Sequence, residues 1–158
     1  MSASVTARRL AAASLAAGAL VSLASLPASA DDHRARPKVE ISNVQYDSPG
    51  RDDRSNRSLN REWVELTNTT RNAVNLDGWT LKDRSGHTYT FDHYRLAGRA
   101  TVRIHTGEGR DTRTDLYQGR RNYVWNNDSD TATLRNDRGR FIDDYSWGSN
   151  RHHGGSRH

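Results

Sequence analysis

Four Asx side chains fall within five positions in Val124-Trp125-Asn126-Asn127-Asp128-Ser129-Asp130-Thr131-Ala132-Thr133-Leu134, directly after a tryptophan. Clustered oxygens of this kind invite a calcium reading. An EF-hand-type loop needs oxygens at alternating positions, a glycine and a distant bidentate glutamate. Asp128 and Asp130 supply two alternating oxygens, but Ala132 stands where a further ligand would help and no glutamate closes the loop. These two aspartates are therefore only weak calcium candidates, and no metal or cofactor is expected. The same residue types answer a simpler demand. Asn and Asp tolerate left-handed backbone and bond their own main chain, which suits a strand-to-strand corner. The expectation is a corner covered by Trp125, with Asp130 accepting from turn amides.

Glu62 and Glu65 are the next candidates, since paired carboxylates can move protons or bind a cation. They lie three residues apart, so an ideal strand sends them to opposite faces. Glu65 should share a face with Trp63 and Thr67, accepting from loop backbone or pairing with arginine. His87, His93 and His105 fall near strand ends, and Asp92-His93 sets a carboxylate beside an imidazole. No Gly-x-Ser-x-Gly elbow and no His-Glu-x-x-His helix accompanies them. Neighbours along a strand point apart, so all three read as surface histidines and no catalytic residue is assigned.

Arginine is the remaining chemistry. It clusters at Arg51, Arg54, Arg57 and Arg61, at Arg110 and Arg113, and at Arg120-Arg121, with the aromatics Tyr117 and Tyr123 close by in sequence. Guanidinium and aromatic groups together can hold nucleic acid or another anionic polymer. Asp52, Asp53, Asp111 and Asp115 sit among them and cancel much of the field.

The elements that must position these groups begin after residue 30. Arg8-Arg9, an uncharged run from Leu10 to Leu26, and Pro27-Ala28-Ser29-Ala30 have the order of a secretory signal peptide cleaved after Ala30. The run is near the lower length of a membrane span, but the small-residue cleavage site follows it directly. Secretion is therefore expected, with no membrane attachment once the segment is removed. The whole chain carries 24 Lys+Arg against 19 Asp+Glu, a net +5. The segment takes two arginines and no acid, leaving 22 against 19, or +3. That is weaker than the one-signed field of a dedicated DNA binder. With no cysteine, disulfides and thiolate zinc sites are excluded.

From Lys38 onward the apolar residues alternate with period two: Val39/Ile41, Val64/Leu66, Trp79/Leu81, Tyr89/Phe91, Val102/Ile104 and Ala132/Leu134. This pattern reads as half-buried antiparallel strands, separated by turns such as Asp77-Gly78, Ser85-Gly86 and Arg138-Gly139. The expected fold class is all-β, a sandwich of about seven to nine antiparallel strands. A short linker at 31–37 precedes a domain at 38–147, and a Gly/His/Arg tail at 148–158 follows. Asp47–Asn60 is polar and charged, and reads as a long exposed loop.

Three blocks in order carry a resemblance: Glu62-Trp63-Val64-Glu65-Leu66-Thr67-Asn68, then Leu76-Asp77-Gly78-Trp79-Thr80-Leu81-Lys82-Asp83, then Trp125-Asn126-Asn127 with Asp130 and Leu134. Together they resemble the lamin tail domain family, across roughly Lys38 to Trp147. The resemblance implies an immunoglobulin-like sandwich. It marks Glu62, Trp63, Glu65, Asn68, Gly78, Trp79, Trp125, Asn126, Asn127 and Asp130 as structural or binding residues. It also implies a non-enzymatic secreted or cell-surface module of the bacterial single-domain type. The partner would be an extracellular protein or polymer; nucleic acid is the alternative and calcium dependence the third. The family usually has glycine where this chain has Ser129, and serine is the costlier residue at positive φ.

Overall fold

In the computed structural model, residues 37–148 are described. The expected signal peptide at 1–30, the expected linker up to residue 36 and the expected tail from 149 lie outside the described residues. The ten strands are β1 (Val39–Gln45), β2 (Trp63–Asn68), β3 (Val74–Asn75), β4 (Thr80–Lys82), β5 (Thr88–Thr90), β6 (Arg95–Leu96), β7 (Thr101–His105), β8 (Asp115–Tyr117), β9 (Ser129–Arg135) and β10 (Phe141–Gly148). A single helical turn, α1 (Asn56–Leu59), interrupts them. One sheet has the order β1-β2-β7-β8, a second β10-β9-β4-β5, and β3 pairs with β6 as a two-stranded ladder. Gly148, assigned to the tail by the sequence, is the last residue of β10.

The core lies between the two four-stranded sheets. Val64 and Leu66 of β2 and Val102 and Ile104 of β7 meet Leu81 of β4 and Ala132 and Leu134 of β9, with Phe91 and Trp125 filling in from loops. Alternation places these side chains inward and their neighbours outward: β2 reads half-buried and buried in strict turn. β1 breaks the pattern, since Val39, Ile41 and Val44 are all buried. A register shift between Ile41 and Asn43 absorbs the extra residue, the function of a β-bulge. Outside it, the Ile41 amide donates to Asp143 Oδ2 at 2.8 Å, and Tyr46 stacks on Trp147 with centroids 4.8 Å apart. The edge strand β1 is thereby partly covered, which guards against edge-to-edge pairing.

Three features depart from the sequence expectation. Among the described residues there are ten strands, because β3 and β6 hold only two residues each and β8 only three, too few for a period to register. β8 runs parallel to β7. The intervening chain swings out to α1, where the Glu108 carbonyl accepts from Asn56 and Asn60, and returns in the same direction. Finally, the stretch 47–60 is not a fully exposed loop. Leu59, its one large apolar residue, is 2% exposed, and Ser55 caps α1 by accepting from the Ser58 amide. Ser48 Oγ donates to the Ser58 carbonyl at 2.7 Å.

Candidate functional site

Gly78 and Trp79 begin the second block as a turn. The Gly78 φ is +75° and an added Cβ would press on Asp137 at 3.3 Å, so only glycine fits without strain. Trp79, half-buried, leads into β4 and its carbonyl accepts from the Phe91 amide. Beyond β4, Asp83 folds the β4–β5 turn by accepting from the Gly86 and His87 amides, both at 2.7 Å.

The Asx corner is joined to that turn. Asp130 is 3% exposed and accepts from three amides: Arg84 at 3.0 Å, Thr131 at 2.7 Å and Asn126 at 3.1 Å. Both of its oxygens are thus occupied by backbone donors. Asn126 makes an Asx turn with the Asp128 amide, and its carbonyl accepts from Trp147 Nε1. Asn127 reaches Asp47 Oδ1 at 3.2 Å. Trp125, expected to cover the corner, is instead buried in the core. Ser129 opens β9 and is not among the residues with positive φ, so the glycine that the family uses is not needed here. Asp128 is exposed, and among the described residues it belongs to no group of three or more candidate metal-ligating side chains. Instead, ligand atoms converge among exposed Asp77, Asp92 and His93, where Asp77 Oδ1 already accepts the His93 amide.

Glu62 and the start of the third block are also in direct contact. The Glu62 side chain is fully buried; Oε1 accepts from Thr106 Oγ1 at 2.6 Å and from the Val124 amide at 2.9 Å. Oε2 has no partner, and Trp125 Nε1 likewise lacks one. Burial pushes the Glu62 carboxyl up from 4.5 to about 7, against the opposing pull of the Thr106 and Val124 bonds. Glu65 lies on the other face, as expected. It accepts from Arg103 Nε at 3.0 Å and from Ser42 Oγ at 3.0 Å, while the Arg103 guanidinium sits 4.3 Å from the Trp63 ring centroid. Glu62 and Glu65 are therefore not a carboxylate pair. Asn68 ends β2 buried and fully engaged: Nδ2 donates to the carbonyls of Asn72, Leu96 and Ala97, and Oδ1 accepts from Thr70.

The histidines need correction. His105 is not a surface residue. Its side chain is 13% exposed and Nε2 meets Asp115 Oδ1 at 2.9 Å; Nδ1 faces the Asn60 carbonyl at 2.7 Å, and Tyr117 stacks on the ring. The hydrogen bond from His105 holds the Asp115 carboxyl below the usual range. Both ring nitrogens face acceptors, so neither offers a lone pair to a substrate. Asp92 and His93 do not point apart, because they occupy a turn with His93 at φ 49°, and their side chains meet at 2.5 Å. His87 is also exposed and has a buried orienting partner, Asp83 Oδ2 at 2.6 Å. It lines a concavity with Gly119, Arg120, Arg121, Asn122, Tyr123 and Val124. The one hydroxyl among the residues that line it, on Tyr123, is bonded to Ser58.

Two bundled sheets with these three interlocked blocks define an immunoglobulin-like β-sandwich. The family description "Lamin Tail Domain" matches residues 32–149, and the chain belongs to the lamin tail domain family. No curated protein matches the sequence.

Proposed function

We propose that this protein is exported by a signal peptide cleaved after Ala30 and acts outside the cytoplasm as a non-enzymatic binding module, with an extracellular polymer or protein as its partner. The observation that carries the reading is the fate of the motif side chains. Asp130, Asn68 and Glu65 are bound to backbone, arginine or serine, and Glu62 is sealed beneath the Val124 segment, so the family's polar signature builds the sandwich. The surface also carries the arginine clusters, and guanidinium groups bind anions without turning them over unaided. Among the described residues no helix is long and apolar enough to cross a membrane.

Expression of the whole chain in a secreting host tests export. The protein recovered from the medium should begin at Asp31 by intact mass; a retained, uncleaved chain in the cells overturns it. Affinity capture on the recovered protein should then retain a defined envelope or medium polymer, and turnover of that polymer by the protein would overturn the non-enzymatic reading.

A further inference from the structure

We propose that the segment 121–124 is a strap that Glu62 latches shut as a neutral acid and releases as an anion, a local opening separate from unfolding of the sandwich. The inference goes beyond the reading of the chain as a binding module and depends on neither export nor partner.

The main chain of the strap has one anchor. Before it, the Gly119 and Arg120 amides donate to the carbonyls of Gly107 and Thr106. After it, the Asn126 amide donates to Asp130, and Trp125 is fixed in the core. Between these ends, among the described residues, main-chain hydrogen bonding goes to Glu62. The Val124 amide donates to Oε1 at 2.9 Å, and the Trp125 amide is also drawn to the carboxyl. Side chains add peripheral ties: Tyr123 to Ser58 at 2.7 Å, and Arg121 to Glu108 at a loose 3.6 Å. The remaining hold is the apolar contact of Val124, 8% exposed.

The carboxyl beneath is built for the neutral form. It is fully buried, both donors within hydrogen-bond reach share Oε1, and Oε2 has none. No cation among the surrounding elements compensates an anion there. On its own side, Arg61 holds the Pro49 carbonyl and Glu65 pairs with Arg103 on the opposite face. His105, next to Thr106, is engaged by Asp115 and the Asn60 carbonyl. From the strap side, Arg120 reaches the Thr88 carbonyl and His87 is held by Asp83. Asp52 is the one charge that acts on the carboxyl, and it disfavours the anion further. A buried carboxylate without a counter-ion must find water, and lifting the strap is the shortest route because it breaks one main-chain bond. The raised titration of Glu62 accords with this. Opening would reshape both concavities that the strap lines, the one with His87 and the one with Arg54 and Asn56.

Hydrogen exchange of the purified protein, read by mass spectrometry and corrected for the intrinsic pH dependence, tests the strap. Protonation favours the closed form, so opening should increase as pH rises and level off above about 7. Amides 121–124 should exchange on the order of fiftyfold faster at about pH 8 than at about pH 5, while β9 stays protected throughout. In E62Q, which keeps an acceptor for Val124, the corrected exchange should not vary with pH. One value across the range, a rise that persists in E62Q, or an equal rise in β9 would each overturn the proposal. The parent protein gives a second check that needs no variant. The 13C resonance of the Glu62 carboxyl should titrate with its midpoint where exchange levels off, and a midpoint in the usual carboxylate range overturns the latch as well.

Discussion

Asp130 and Glu62 are two buried carboxylates in contact with the same segment, and their surroundings are opposite. Asp130 receives backbone donors on both oxygens: Arg84 and Thr131 on one, Asn126 on the other. Glu62 concentrates Thr106 and Val124 on a single oxygen and leaves the second bare. A buried carboxylate is favourable when amides replace its water, and strongly disfavoured as an anion when they do not. The first arrangement builds a corner; the second stores a titration near neutrality.

Removing Asp130 should produce the largest change. In Asp130→Ala three amides at the corner lose their acceptor, and a buried donor left bare costs about 1–3 kcal/mol. Even with water reaching some of them, destabilisation of about 4 kcal/mol is expected in urea melts. Asp130→Asn, which keeps one acceptor oxygen, should fall between. A loss below about 1 kcal/mol for the alanine variant would mean that the corner holds itself without the carboxylate.

Glu62 should give the next largest effect, with a pH signature. Its folded value, about 7, lies above its ordinary 4.5, so the folded state holds the proton more tightly than the unfolded chain. The stabilisation is fully present below about pH 4.5 and is lost as pH rises through about 7. At roughly 1.4 kcal/mol per unit, the span is on the order of 3 kcal/mol. Asp115 works the other way. Its carboxyl is held low by His105, so its contribution is present above 3.8 and lost as pH falls through its folded value. Glu62→Gln keeps an acceptor for Val124 and Thr106 while removing the charge. It should flatten the loss between pH 5 and 8 and stabilise the protein at pH 8; an unchanged pH profile would show that Glu62 does not titrate in this range.

The difference between these two carboxylates was only half visible in the sequence. The Asx types and their place beside β9 were enough for the turn-amide role of Asp130. The Arg84 amide was not, because it arrives from 46 residues away. Glu62 reads as one member of EWVELTN, and period-two alternation correctly separates it from Glu65. Its burial depends on Thr106 and Val124, 44 and 62 residues along the chain, and no local pattern carries that. The all-β class, β1, β2, β7 and β9 were legible because each shows at least two inward apolar residues. β8 has only Leu116, and β10 has a register shift between Phe141 and Asp143 that scrambles its period. α1 was hidden by a single leucine within a charged run, and His105 by the stacking of Tyr117 from another strand.

Glu65 extends the comparison to the outer face, where water does most of the solvation. Its bond to Arg103 joins side chains that are 18% and 48% exposed, and such pairs contribute about 0.2–1 kcal/mol. A double-mutant cycle with Glu65→Gln and Arg103→Gln should give a coupling in that range, shrinking with salt. The Trp63 ring beneath Arg103 adds a contact of similar size, so Arg103→Gln alone should cost more than Glu65→Gln alone. Equal losses would show that the guanidinium gains nothing from the ring.

Calcium should have the smallest effect of all. A cation at Asp130 would have to displace three amides before gaining any oxygen, and exposed Asp128 alone is a weak ligand. Ligand binding to the folded state raises stability by RT ln(1 + [L]/Kd), so a site with Kd far above the calcium added leaves the melting temperature unchanged. The corner and the exposed Asp77, Asp92 and His93 cluster can be told apart in the same experiment. A rise in melting temperature with calcium that survives Asp128→Ala but disappears in Asp92→Ala would place the ion at the cluster. A rise abolished by Asp128→Ala would instead mean that the corner opens to take it, against the closed hydrogen bonding of Asp130.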